Sequence, residues 1–444
     1  MLKLSVFMSP TGAHVGGWRH PDAVTDAGFN FAPWLDLVKL LERGKFDMMF
    51  LADGNGVNGI TTPDLLAANP TLRPVVFEPT TLLAALAPHT KRLGLVATAT
   101  TTYEEPFGVA RRFASLDLVS GGRVGWNVVT TSNVEDALNF NRDEHVERTN
   151  RFDRAEEFVD VVKGLWDSWA ADAFTRDKES GQFLDPAKVQ MLNHKGTHFQ
   201  VRGPLNAARS PQGQPVIVVA GASDEAKELA ARAADVLFTV NETKESAQKF
   251  YADVKGRMAK YGRTPDQLNI FPGASIFVGK TAADAEKLYA DLQALIPDKL
   301  GVSMLSKLLS FDLSSYDPSG PLPAIEGDVV GIGSFRAMII EMAKRDKLSI
   351  RETYQRVLPA RGHVLMKGDA KQVADQMQDW LESKACDGFN LVASHLPGGL
   401  EQIVDHLVPE LQARGIFRKE YEGKTLREHL GVAAPERKIH AKSA

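Results

Sequence analysis

The chain has 444 residues, 43% of them hydrophobic and 24% charged, with 52 Lys+Arg against 56 Asp+Glu and a net charge of −4. That balance disfavours a polyanion-binding surface, so nucleic acid is not expected as the main partner. The single cysteine, Cys386, excludes an intramolecular disulfide framework and a cysteine-built zinc site. No apolar run approaches the ~20 residues of a membrane span, and no charged leader precedes an apolar stretch, so a cytoplasmic chain is expected.

Short apolar runs alternate with longer helical patterns. Residues 2–8 read as a first strand, 33–45 as a helix with Trp34, Leu37, Val38 and Leu41 on one face, and 47–52 as a buried strand. A helix is expected over 79–88, a strand over 93–98, a helix over 106–120 closed by Gly121 and Gly122, and a strand over 123–129. Residues 151–171 form a long amphipathic helix. The pattern resumes with strands at 215–220, 236–240 and 268–278, helices at 223–234 and 243–261, then a last strand at 389–393 and a helix at 400–414. Continuous apolar strands separated by helices imply a parallel sheet covered on its faces. Eight of them over this length fit a TIM-like (β/α)8 barrel. The expected organisation is one barrel domain over 1–430, with insertions at about 172–214 and 281–388 forming a lid, and a weakly ordered tail over 431–444.

Several signals resemble chemistry without its context. Residues 54–59 (GNGVNG) match the dinucleotide fingerprint and follow a strand, which would suit a nicotinamide dehydrogenase. Pro63 and Pro70 leave no room for the crossover helix that fingerprint requires. No histidine pair has a recognised metal-ligand spacing, and the cluster at 143–147 reads as a solvated face, so no metal is expected. His395 follows the last strand and reads as a core or surface histidine. Cys386 has no local nucleophile signature.

Barrels bind ligands at the carboxyl ends of their strands. Those ends carry Ser9 and Pro10, Asp53, Thr98 to Thr100, Asn127 with Thr130 and Thr131, and Gly221 to Ser223. The set is rich in hydroxyls and amides and poor in acid/base groups, as suits a rim that holds a cofactor which does the chemistry. Gly221-Ala222-Ser223 reads as a strand end followed by an N-cap, where backbone amides either bind a phosphate or simply open a capped helix.

Residues 93–103 (LGLVATATTTY), 110–117 (ARRFASLD) and 120–130 (SGGRVGWNVVT) closely resemble the reduced-flavin-dependent monooxygenases of the bacterial luciferase-like superfamily. Residues 164–169 (GLWDSW), 195–199 (KGTHF) and 398–400 (GGL) are similar to its nitrilotriacetate and dibenzothiophene-sulfone monooxygenase group. The resemblance implies a barrel with a lid that receives FMNH2 from a separate NAD(P)H:flavin reductase. With O2 as co-substrate it oxidises a small organic molecule at or next to nitrogen or sulfur, with C–N or C–S cleavage. It implies FMN contacts at Asp53, Thr98 and Ser223, with Asn127 and Gly221 beside them, and a homo-oligomer. Aligning residues 151–158 (RFDRAEEF) with the group's R-Y-x-x-A motif puts Arg148 where a histidine is expected and Phe152 where a tyrosine is expected, which implies both as flavin-binding positions, Arg148 pairing with the phosphate or an anionic substrate. His145 lies three residues too early. These departures leave a rival open, a non-catalytic flavin-binding protein of the same fold. The catalytic residues and the substrate are not legible.

Overall fold

The structure is a computed structural model that describes residues 1–57, 73–131, 133–325, 333–360 and 362–438. The described strands are β1 Lys3–Met8, β2 Met48–Leu51, β3 Gly94–Thr100, β4 Val124–Val129, β5 His194–Lys195, β6 Gln200–Val201, β7 Val216–Ala220, β8 Val236–Thr239, β9 Asn269–Gly279, β10 Val364–Asp369 and β11 Gly388–Ala393. All but the short β5–β6 hairpin lie in one parallel sheet, ordered β10-β9-β11-β1-β2-β3-β4-β7-β8, and β8 pairs again with β9. That second pairing closes eight strands into the expected barrel.

The departure is β10, which falls inside the 281–388 insertion, where the sequence reads as helices. It pairs with β9 from Ala274 to Gly279, while Asn269 to Pro272 pair with β8. Its residues alternate between buried and half-buried, the period of a strand covered on one face. Six residues ending in Gly368-Asp369 are too few to stand out beside the capped helix that follows.

The strand residues divide into two layers because side chains alternate across a strand. Met48, Phe50, Val96, Val216, Val218 and Val236 cluster inside the barrel. Leu426 and Leu430, from the helix Leu426–Leu430, join them at the amino-terminal mouth. Gly94 has to be glycine there, since a Cβ would stand 2.5 Å from Leu426 Cδ1 and 2.7 Å from the Asp47 carbonyl oxygen. The alternate residues pack beneath helices Ala32–Arg43, Pro79–Leu86, Pro106–Ser120 and Arg148–Trp166. That last helix begins a turn earlier than its sequence pattern, so Arg148 is its first residue.

Residues 432–438, read as part of a weak tail, are held in place. Val432 is buried, Arg437 Nε donates to the Asp167 carbonyl at 2.9 Å, and the Lys438 amide donates to Asp167 Oδ2 at 3.1 Å. Residues 439–444 lie outside the described residues.

The large insertion contributes helices Ala282–Ala294, Asp298–Leu309, Gly333–Arg345 and Ile350–Ala360. Leu305, Leu309, Leu313, Ile339, Ile350 and Tyr354 give it an apolar cluster of its own, separate from both barrel layers.

Candidate active site

A cavity of about 760 Å³ opens where β3, β4 and β7 end, a size suited to a small-molecule ligand. A second, of about 440 Å³, lies between the loop after β1 and the insertion, where Ser9, Thr11, Arg73, Leu300 and Met304 line it. Asp53 and Gly54 line both, so the two spaces meet at the end of β2.

The wall of the larger cavity is a polar network set by strand register. Thr98 lies opposite Asn127 in the β3–β4 ladder. The Thr98 hydroxyl donates to the Leu51 carbonyl at 2.7 Å and accepts from Asn127 Nδ2 at 2.8 Å. Asn127 Oδ1 is left buried with no partner among the described residues, a costly state that a ligand donor would relieve. One turn of the ladder higher, the Thr100 and Thr131 hydroxyls meet at 2.7 Å. Arginines of the long helix pin the loops above. Arg151 Nη1 donates to the Thr131 carbonyl, and Arg154 Nη2 donates to the Glu104 carbonyl at 3.2 Å.

Of the residues singled out from sequence, Asp53, Thr98 and Phe152 line this cavity, and Asn127 stands directly behind Thr98. Gly221 and Ser223 sit at its edge, between the lining residues Ala220 and Ala226. Ser223 caps the helix Asp224–Ala233, its hydroxyl accepting from the Ala226 amide at 3.3 Å. Gly221 has φ +151, and a Cβ there would meet Ala226 Cβ at 2.9 Å, so only glycine brings the backbone so close to the helix start. Arg148 is not on the cavity wall. It is exposed and donates to Glu225 Oε2 at 3.0 Å, in the first turn of the helix that Ser223 caps.

The expectation of a rim poor in acid/base groups is corrected. Glu78, Glu104 and Asp136 line the cavity with Asp53, but none of the three stands at a strand end. Glu78 caps the helix Pro79–Leu86, Glu104 precedes a helix and pairs with Arg112, and Asp136 sits in a short helical turn. Burial raises the Asp53 carboxyl to about 6, and repulsion from Glu78, Glu104 and Asp136 adds to that against the hydrogen bond from the Gly54 amide. Glu78 is held below the usual range, because hydrogen bonds from Thr81 and Thr80 outweigh its burial. Tyr103 also lines the cavity, with its hydroxyl 2.6 Å from His145 Nδ1. The early histidine therefore reaches the site from the loop ahead of the helix. Reading strand ends alone stops short of these residues, and a continuation of the β3 reading from Thr100 to Tyr103 and Glu104 would have found two of them.

The other sequence signals fall elsewhere. The glycine loop opens no helix at residues 54–57, where the Asn55 amide instead donates to Asp136 Oδ2 at 3.3 Å. Asn58, Gly59, Pro63 and Pro70 lie outside the described residues. His395 is buried against His20 with ring centroids 4.1 Å apart, and burial lowers it to about 4. Cys386 is buried, which pushes its thiol well up. No helix among the described residues is long and apolar enough to cross a membrane.

The profile of the luciferase-like monooxygenase family matches residues 8–385. The chain belongs to that family. It is 50% identical over 436 residues to N-acetyl-S-(2-succino)cysteine monooxygenase of Bacillus subtilis (strain 168), covering 98% of this chain and 97% of that one. It is 47% identical over 445 residues to nitrilotriacetate monooxygenase component A of Aminobacter aminovorans, covering 99% and 98%. Among solved structures, riboflavin lyase with modified FMN and substrate riboflavin superposes with a TM-score of 0.82 at 30% identity, covering 98% of this chain and 96% of that one. Like its relatives, this luciferase-like protein is a flavin-dependent monooxygenase acting on a small organic molecule, and it works with a partner component. The comparisons lend no support to a non-catalytic flavin-binding protein.

Proposed function

We propose that this monooxygenase takes FMNH2 from a separate NAD(P)H:flavin reductase and, with O2, oxidises a small carboxylate-bearing thioether or amine next to its sulfur or nitrogen, cleaving a C–S or C–N bond. The observation that carries the reading is the pair of cavities meeting at Asp53, one walled by a polar network and the other by an arginine and the insertion. The residues present fit a flavin mononucleotide. Asn127 Oδ1 is a buried acceptor in want of a donor, Thr98 and Asp53 offer oxygen atoms at the wall, and Phe152 supplies an apolar face. Gly221 and the Ser223 cap offer the helix start to a phosphate, whose charge the helix dipole favours. Arg148 stands close enough to that start to exchange Glu225 for the phosphate. The bound flavin supplies the electrons that activate oxygen.

The smaller cavity suits the substrate. Arg73 Nη1 donates to Thr11 and to the Gly12 carbonyl (3.0 Å), which fixes the guanidinium at the wall. It is the one basic residue among the described lining residues of that cavity, and it gives a carboxylate its counter-charge. N-acetyl-S-(2-succino)cysteine and nitrilotriacetate, named in the two relatives, each surround a thioether sulfur or an amine nitrogen with carboxylates. Leu300 and Met304 close the cavity from the insertion and exclude water from the reacting atoms. The test supplies FMN, NADH and a flavin reductase under ¹⁸O2 with a panel of carboxylated thioethers and amines, against the same compounds as methyl esters. One ¹⁸O atom in the product of an acid, but not of its ester, is expected. Turnover of the esters at equal rates would remove the carboxylate from the reading.

A further inference from the structure

Tyr103 stands at the wall of the larger cavity with His145 against its hydroxyl, and the hydrogen bonds around the pair determine which way its protons point. His145 Nε2 lies 3.1 Å from the Thr131 carbonyl oxygen, which can only accept, and Arg151 Nη1 donates to that same oxygen. The imidazole therefore carries its proton on Nε2, and its Nδ1 lone pair faces outward. Tyr103 Oη, 2.6 Å from Nδ1, must then be the donor. The phenol ring is stacked on Phe140 at 4.9 Å with an interplanar angle of 5°, a contact that favours this orientation. Its oxygen has donated its only proton to His145 and keeps a lone pair with which to accept another.

We infer that Tyr103 is a catalytic proton acceptor of this monooxygenase and that His145 is its positioning residue and proton store. When an N–H or O–H of the molecule bound in the cavity gives up its proton, that proton bonds to Tyr103 Oη as the phenol's own proton passes to His145 Nδ1. The result is a neutral tyrosine and an imidazolium, and the reverse transfer returns the proton. The pair gains one positive charge, the molecule that gave the proton keeps the electron pair of the broken bond, and no oxidant or reductant is needed. The charged groups that face it are Asp136, Arg142 and Arg151 around the phenol, and Arg151 and Asp136 around the imidazole. Burial and Arg151 lower the imidazole below its ordinary value while Asp136 and the Thr131 carbonyl oppose them, so the store is empty and ready at neutral pH. The pair also accounts for Arg148: with that position turned outward to Glu225, the early histidine brings an imidazole to Tyr103 instead.

The inference rests on the larger cavity being the flavin cavity, so its test begins without flavin. In protein labelled with ¹⁵N-histidine, the resonance lost in His145→Gln is expected to show an Nε2–H tautomer with a hydrogen-bonded Nδ1. In Tyr103→Phe that Nδ1 should move to the free-acceptor position. An Nδ1–H tautomer would overturn the relay whatever the cavity binds. In single turnover with FMNH2 and oxygen, Tyr103→Phe and His145→Gln should each slow the return of oxidised flavin by 100-fold or more, with FMNH2 affinity unchanged. The double variant should be no slower than either single, because the two act as one unit. The pH step in the wild-type rate should vanish in both. Wild-type rates, or slowing that multiplies in the double variant, would overturn it. Failure of the wild type to bind FMNH2 would instead overturn the function proposed above, and leave the tautomer result standing on its own.

Discussion

The rim of the barrel and the helical insertion meet across Asp53 but are built by different physics. At the rim, Thr98, Thr100, Asn127 and Thr131 are buried polar groups, each tied to a neighbour by a ladder register that admits little movement. The insertion is held by an apolar cluster around Leu305, Ile339 and Tyr354, and it gives the smaller cavity two flexible side chains, Leu300 and Met304. A directional network suits one ligand of fixed shape. Apolar packing can change its residues and keep its volume. On the proposed reading the rim holds the cofactor, and the insertion can adapt to a different substrate without disturbing it.

The most severe way to break that division is Leu305→Ala. Emptying this buried position should cost the insertion about 2–5 kcal/mol, and with it the shielding of the site. Faster release of peroxide from FMNH2 and oxygen is expected at unchanged FMN affinity. A parallel loss of affinity in a fluorescence titration would mean that the regions are not separable.

Thr98→Val attacks the other side. It strands the Leu51 carbonyl and Asn127 Nδ2, at about 1–3 kcal/mol for each group left unpaired. Urea unfolding should show the loss, FMN binding should weaken at least tenfold, and the rate of proteolysis within the insertion should stay as in the wild type.

Asp53 tests the junction. Its carboxyl is raised to about 6 in the folded protein against 3.8 for the free group, so the folded state holds the proton longer. Its contribution then falls as pH rises from about 4 through about 6 and stays low above that. Burial raises the Asp117 carboxyl to about 6 as well, so the readout is the difference between variant and wild type. Asp53→Asn should match the wild-type melting temperature near pH 4 and exceed it at pH 7.5. Equal melting temperatures at both pH values would remove the buried carboxyl from the account.

The smallest effect sharpens the cofactor assignment. Ser223→Ala removes the cap of the helix Asp224–Ala233, about 1 kcal/mol of stability. It should weaken FMN binding and leave riboflavin binding unchanged, because only FMN carries the phosphate. Equal weakening of both would move the phosphate elsewhere.

The same division explains what could be read from sequence. The barrel strands are continuous apolar runs whose ends are marked by polar residues, so Asp53, Thr98, Asn127 and Ser223 were legible one by one. The lining acids were not. Glu78 caps a helix and Glu104 lies in a loop, and only the closure of the barrel brings them to the same cavity as Asp53. Arg148 illustrates the limit of motif alignment, because helix start and register decide that it faces Glu225 and that His145 faces Tyr103. In the insertion, β10 is defined by its pairing with β9, a contact some ninety residues away that no local periodicity encodes.

The central claim, a rim that binds reduced flavin beneath an insertion that shields it, is tested most directly by single-turnover stopped flow. The protein is mixed anaerobically with FMNH2 and then with oxygenated buffer while the flavin spectrum is followed. A transient absorbance distinct from reduced and oxidised flavin is expected, long-lived in the wild type, short-lived in Leu305→Ala and absent in Thr98→Val. Reoxidation of the wild type at the rate of free FMNH2, with or without a carboxylated thioether present, would contradict it.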